Sequence, residues 1–434
     1  MGVSMRRRHL PFPASPRFDD RRTGIHSPVR RSFLLFLVML LLVLAQAPPA
    51  LVQNAPPHRQ GGSAAGPAAG TDNSTAPSTP PNKLDADVDS YVRDVMAKRH
   101  IPGLALAIVR QGRLERVAAF GEASLEFHVP VRPTTLFHVA SVTKSFAAVG
   151  VMKLIEGGRV KLDDGIGMYL EGLPENWRSV KIRELLSHTS GLPDIVKPGS
   201  ADPIAATAKD AIALLRDRPL EFEPGTHYRY CQTDYMLLGL LIEKLSGQSF
   251  VEFCRTQLFA PAGLKDPQFG DSHTLIRNRG PIYTPFEFDA QGKPIAGELK
   301  VQNWKSPPMV YPNNGLNISA RDLARFVVAL MNGKLISHAR LDTLLTPLRF
   351  KDGTLSQIPP GPEYPWRGEA IGGLLLVPDA QHPAAGGTGG PYAAYLFYPK
   401  DGLAVVVLTN TQESNPDGIV ADIARAYLTG AVAH

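Results

Sequence analysis

Cysteine is nearly absent from this sequence: 434 residues hold two, Cys231 and Cys254. No disulfide framework can therefore hold the fold, and no C-x-x-C pair offers a structural zinc site. One disulfide is open to the pair in an oxidising compartment; two buried free thiols are the reading we favour. Neither an H-E-x-x-H zinc motif nor a G-x-S-x-G nucleophile elbow is present, and no internal repeat is seen. The longest apolar run, residues 32–46, is shorter than the roughly 20 residues a membrane-spanning helix needs. A basic body is missing too. The formal charge is +6, yet eight of the 46 basic residues and two of the 40 acidic ones lie in residues 1–31, which leaves 38 of each. A neutral body excludes the basic surface that nucleic acid would require.

Composition is otherwise that of a globular protein, 44% hydrophobic and 20% charged. The run SFLLFLVMLLLVLAQ at 32–46 follows an Arg-rich stretch and leads into the small residues Ala45, Ala47 and Ala50. That is the pattern of a signal-peptide core. We read residues 1–52 as an export signal or, if uncleaved, an N-terminal membrane anchor. Residues 53–83 are rich in Pro, Ala, Gly, Ser and Thr. They lack the apolar surface to fold, so a flexible linker is expected. The foldable domain is then 84–434, exported to the periplasm or the exterior.

Within that domain the periodicities predict helices at 84–98, 139–157, 210–217, 234–247 and about 418–428. Strands are expected at 103–109 and 114–121 around Gln111-Gly112, and at 393–399 and 403–410 around Lys400-Asp401-Gly402. Strands near both ends with helices between suggest an α/β fold, in which one sheet is closed by the two termini and a helical lobe is inserted in the middle.

Three segments carry chemistry. The first is Ser141-Val142-Thr143-Lys144, at the start of the 139–157 helix. Positions i and i+3 are neighbours on a helix, so Lys144 can stand beside Ser141. A serine hydroxyl needs a base, and a desolvated lysine can serve. Alone, S-x-x-K is a loose pattern. Its flanks, LFHVASVTKSFAAVGVMKLIEGGRVKLDDGIGMYL at 136–170 and IRELLSHTSGLP at 182–193, make it specific. Together they resemble class C beta-lactamases and their relatives among D-alanyl-D-alanine carboxypeptidases and esterases. The second segment, PGTHYRYCQTDYMLLG at 224–239, resembles that family's Y-x-N block. It puts Tyr230 on the catalytic tyrosine and Gln232, one methylene longer, on the asparagine. A phenol beside a lysine ammonium is expected to have its pKa lowered. The third is Ala384-Ala385-Gly386-Gly387-Thr388-Gly389-Gly390, where the family carries K-T-G or H-x-G on a strand. Counting back from Pro399 sets Ala384 at the Lys or His position. His382 lies two residues earlier and reaches the site only if the strand bulges; an exposed loop histidine is the preferred reading.

The resemblance covers about residues 84–430. It implies an antiparallel sheet flanked by helices, an inserted, mainly helical lobe, and an active site between them. Ser141 would attack an acyl carbonyl, Lys144 and Tyr230 would move the proton, and water would release the acyl-enzyme. Gln232, Gly386 and Gly387 would face the substrate, with the N–H groups of Ser141 and Gly387 as oxyanion donors. No metal or organic cofactor is implied, and the partner is a small-molecule or peptide substrate. Missing the cation at Ala384, the site suits an esterase or D-amino-acid peptidase better than an efficient beta-lactamase. The alternative is a catalytically weak binding module at the envelope. His188 and Ser190 are read as a structural turn, and Asp163-Asp164 as a turn cap.

Overall fold

A computed structural model describes residues 82–196, 204–288, 294–359, 361 and 364–432. The predicted leader, and all of the predicted linker except its last two residues, lie outside the described residues. Those two belong to the domain: helix α1, Lys83–Lys98, starts at once, with the Asn82 side chain accepting from Asp85 N–H. No helix among the described residues is long and apolar enough to cross a membrane.

After α1 the chain forms a hairpin of β1, Gly103–Arg110, and β2, Arg113–Ser124. Gln111 and Gly112 both have positive φ (50° and 66°) at the tip, as a tight two-residue hairpin turn requires. Short strands β3, Val129–Pro130, and β4, Phe137–His138, follow. Next comes the lobe that holds α2, Thr143–Glu156; α3, Ile182–Leu186; α4, Ala208–Leu215; α5, Gln232–Ser246; and a helical stretch at 250–262. The short strand β8, Leu316–Ile318, pairs with β4 on one side and with β5, Gln268–Phe269, on the other, while β6, Tyr283–Phe288, and β7, Pro294–Val301, form a separate hairpin. Helices α6, Ala320–Met331, and α7, His338–Leu344, return the chain to the sheet. The sheet is completed by β9, Gly368–Glu369; β10, Leu375–Val377; β11, Ala384–Thr388; β12, Ala393–Tyr398; and β13, Leu403–Thr409. The last helix is α8, Pro416–Thr429.

The eight-stranded sheet runs β3-β2-β1-β13-β12-β11-β10-β9. Every pairing is antiparallel, and β1 lies against β13, so the two ends of the domain close the sheet together. Its central strands are apolar on both faces, which gives two cores. Ala105, Ala107, Val406, Tyr395 and Phe397 join the core that contains α2 and α5. Leu104, Leu106, Ile108, Val405 and Leu396 join the one that contains α1 and α8. This parity decides below which residues of β11 can face the active site.

The predicted 139–157 helix is two pieces. A 3₁₀ turn at Ala140–Val142 precedes α2, and Ala140 has φ of 42°. Helix α2 is buried almost all round, including Lys144 and Ser145, so it is a core helix rather than a surface one. Gly150 lets it close on its neighbours: a β-carbon there would lie 3.0 Å from the Phe253 ring and 3.2 Å from Ile242. Cys231 and Cys254 are both buried and free.

Candidate active site

Ser141 sits in the 3₁₀ turn at the mouth of α2, displayed by the strained Ala140 before it. One turn on, Lys144 points back so that its Nζ lies 3.4 Å from Ser141 Oγ. Helix α5 approaches with the Tyr230–Gln232 segment at its N-terminus. Tyr230 donates from its hydroxyl to Ser141 Oγ at 2.6 Å. Lys144 Nζ also donates to Gln232 Oε1 at 3.0 Å and to the Asn313 carbonyl at 3.1 Å. Three segments far apart in sequence thus meet at the Ser141–Lys144 pair, and two of them at the hydroxyl itself.

Burial sets the protonation states. Lys144 is 6% exposed, and desolvation pulls its ammonium down to about 7, against the pull of Asp194 and Asp234. The amine is also 4.6 Å above the centre of the Tyr230 ring. The phenol moves the other way: burial raises Tyr230, and its hydrogen bonds to Ser141 and Gln232 only oppose that. This corrects the expectation that the lysine would lower the tyrosine. The group poised near neutrality is Lys144, and Tyr230 stays a phenol.

Beneath the site runs a polar network that the sequence reading assigned to a turn. His188 Nδ1 pairs with Asp234 Oδ2 at 2.9 Å, and Ser190 donates to the other oxygen of Asp234. The carboxyl therefore lies between serine and histidine, the wrong order for a nucleophilic triad. His188 nevertheless lines the cavity, with its ring 4.5 Å from that of Tyr230, and burial keeps it neutral. Asp194 accepts from the N–H of Gln232 at 3.2 Å, and burial raises its carboxyl to about 6. Asp194 and the Asn313 carbonyl were both missed. The signal for Asp194 was its place next to the HTSGLP segment; a carbonyl 169 residues from its lysine left none.

The third segment needs correction in three respects. Ala385 and Gly387 face the α2 core, whereas Ala384 belongs to the opposite core. The side chain two residues before Gly387 on the active-site face is thus Ala385, not Ala384. Gly386 likewise faces away: a β-carbon there would meet the Tyr395 carbonyl and lie 2.8 Å from the Trp366 ring. At Gly387 it would lie 3.2 Å from Ser145 Oγ on α2, so glycine lets the strand close on the nucleophile's helix. Gly389 N–H bonds Ala393 O at 2.7 Å, and Gly387 pairs with Tyr395 in the same alternation. The Gly387 N–H is thereby directed into the ladder with β12, and that of Thr388 toward the free edge beside the cavity. His382 is a turn residue paired with Asp401 at 2.9 Å and does not line the cavity.

The cavity has a volume of about 370 Å³. Ser141, Lys144, Tyr230, Gly387 and Thr388 line it, together with an apolar set of Phe350, Ile358, Pro359, Tyr364 and Leu375. Among the described residues no group of three or more His, Cys, Asp or Glu side chains could hold a metal ion.

Comparison with known proteins bears on the family and the fold. A family model described as Beta-lactamase matches residues 88–429. Penicillin-binding protein 4* of Bacillus subtilis (strain 168) is 30% identical over 247 residues, 54% of this chain and 53% of that protein. The chain spans about half the length of the curated relatives it matches. Among solved structures, the octameric penicillin-binding protein homologue from Pyrococcus abyssi superposes with a TM-score of 0.64 at 25% identity, covering 80% of this chain and 77% of that one. The D-amino acid amidase from Ochrobactrum anthropi SV3 has the same fold, with a TM-score of 0.66 at 24% identity, covering 80% of this chain and all of that one.

Proposed function

We propose that this chain, which belongs to the beta-lactamase family, is a serine hydrolase that cleaves an amide or ester through an acyl-enzyme on Ser141. The observation that carries the reading is one oxygen, Ser141 Oγ, held between the Tyr230 hydroxyl at 2.6 Å and a lysine amine poised near pH 7. A neutral Lys144 amine has two N–H groups and one lone pair. The N–H groups are taken by Gln232 Oε1 and the Asn313 carbonyl. The lone pair is left to accept the Ser141 proton, with the Tyr230 O–H donating into Oγ from the other side.

As Oγ attacks the acyl carbon, its proton passes to Lys144. The oxyanion is met by the N–H of Ser141, at a helix start, and by that of Thr388 at the strand edge. Tyr230 gives its proton to the leaving group and regains one from Lys144. Water then repeats the sequence in reverse roles and frees the acid. No cation stands at Ala385 to hold a substrate carboxylate. This supports an esterase or amidase preference over turnover of carboxylated β-lactams. Export, if residues 32–46 act as a leader, would place the reaction in the periplasm or outside the cell.

The test is to label the purified domain with a fluorophosphonate, locate the adduct by mass spectrometry, and repeat with Ser141→Ala. An adduct on Ser141 that the variant loses is expected; an adduct elsewhere, or none, removes the assignment. A panel of p-nitrophenyl esters and chromogenic cephalosporins settles the preference. Rapid cephalosporin turnover with inert esters would reverse it.

A further inference from the structure

Glu369 has no role in the chemistry above, yet it lines the same cavity as Ser141. It lies on β9, is 8% exposed, and accepts a hydrogen bond from the Ser356 hydroxyl. Among the described residues no Lys, Arg or His lies within ion-pair distance of it. It is also the only carboxyl among the described residues that line the cavity. A carboxylate taken out of water is costly unless a cation meets it. Burial raises its pKa, and only the Ser356 and backbone hydrogen bonds offset this. Lys144, the one Lys or Arg among the described residues that line the cavity, is committed to Ser141, Gln232 and Asn313.

Position fixes what kind of group could meet Glu369. It is in register with Leu375 on β10, which pairs with Gly386 on β11. Two strand spacings, roughly 10 Å, therefore separate the backbone of Glu369 from that of β11, where the scissile carbonyl would rest. This register puts the Glu369 and Leu375 side chains on the sheet face of Gly386, and the cavity, which runs along the free edge of β11 at Thr388, reaches them there together with Ile358, Tyr364 and Phe350.

We propose that Glu369 is a specificity residue that binds the cationic end of a substrate whose apolar stem lies along these apolar side chains, several methylenes from the scissile carbonyl. The inference rests on the hydrolase reading, and its test separates the two. The probes are p-nitrophenyl 6-aminohexanoate and p-nitrophenyl heptanoate, which differ only in the terminal ammonium against a methyl group. Wild-type protein at pH 7.5 should favour the ammonium ester by about tenfold in kcat/KM, the size expected for one charge-assisted contact. Glu369→Gln should abolish that preference by raising KM for the ammonium ester. Heptanoate turnover and the rate of fluorophosphonate labelling should stay within about twofold. Glu369→Asp should keep part of the preference.

Ser141-dependent heptanoate turnover without ammonium preference in the wild type overturns this inference and leaves the hydrolase standing. Equal loss on both esters in Glu369→Gln, with labelling intact, overturns it as well. No Ser141-dependent turnover of either ester overturns both readings. The wild-type comparison does not depend on any variant folding.

Discussion

The two sides of the cavity are built to different standards of polarity. On the lobe side, Ser141, Lys144, Tyr230 and Gln232 form a connected set in which the lysine nitrogen has three partners, Ser141, Gln232 and the Asn313 carbonyl. On the sheet side, β11 offers alanine and glycine where a cation would be needed, and the cavity adds an apolar set with one carboxyl. The contrast separates making an acyl bond from choosing what to acylate. A nucleophile and its proton path need a few groups within hydrogen-bond reach, and these are intact. On the proposed reading, recognition falls to side chains that do not touch that path.

The largest effects should come from the lobe side. Ser141→Ala should lower turnover on the order of 10⁴-fold or more, because no other hydroxyl among the described residues that line the cavity is held between Lys144 and Tyr230; ester hydrolysis by the purified domain checks this. Tyr230→Phe keeps the ring over Lys144 and removes only the proton donor. A fall in kcat of about 10²- to 10³-fold with little change in KM is expected. If Tyr230→Phe instead changed KM alone, the tyrosine would belong to recognition, and the division between the two sides would fail.

The sheet side can be sharpened by putting the cation back. Ala385→Lys should improve KM for carboxylate-bearing esters by about tenfold, one charge-assisted contact. Ala384→Lys should not, since its side chain enters the other core and would cost stability instead. Equal gains from both would show that the face assignment is wrong. Position 384 was chosen by counting residues from Pro399, and counting cannot see parity: a slip of one residue exchanges the faces of a strand.

The rest of the sequence reading divides along the same physical line. Strands β1, β2, β12 and β13 and helices α1, α2, α4, α5 and α8 were legible because local periodicity and turn residues specify them. The convergence of Ser141, Lys144 and Tyr230 was legible because their flanks form extended family motifs. Other features depend on contacts made across the fold. The Asn313 carbonyl, the outward turn of Gly386, the direction of the Thr388 N–H and the approach of Glu369 all arise from tertiary packing and leave no local pattern. Protonation followed the same rule. A lysine beside a tyrosine reads as a lowered phenol until burial, which acts on both, is known.

Asp194 offers a smaller test of the lobe side. Its carboxylate raises the Lys144 pKa, opposing desolvation. Asp194→Asn keeps an oxygen for the N–H groups of Val196 and Gln232 while removing the charge. Activity needs the neutral amine, so kcat/KM should rise with pH through about 7 in the wild type. In the variant this acid limb should move to lower pH. An unmoved limb would mean that Lys144 is not the titrating base.

The smallest effect should lie behind the sheet side and concern stability alone. Asp417, in the first turn of α8, accepts from Trp366 Nε1 at 3.0 Å and from the Thr388 hydroxyl at 3.1 Å, so it braces the active-site strand from the far face. Burial raises its carboxyl to about 7 despite both hydrogen bonds. A folded-state pKa above the unfolded value means that the native state binds the extra proton. The stabilisation is full below the unfolded pKa of 3.8 and is lost as pH rises through about 7. Asn at 417 can accept from Trp366 and donate to Thr388 without titrating. Asp417→Asn should therefore match the wild type in Tm best at low pH and exceed it increasingly from about pH 4 to about pH 7, with no further gain above, and with kcat nearly unchanged. Asp194, whose raised pKa makes stability fall with pH between 3.8 and about 6, acts in the same window, while Lys144, lowered from 10.5 to about 7, makes stability rise only above it. The reading is therefore the difference between variant and wild type, in which their contributions cancel. A constant Tm difference across that range would show that Asp417 is ionised in the folded protein, and that the brace on β11 is a charged one.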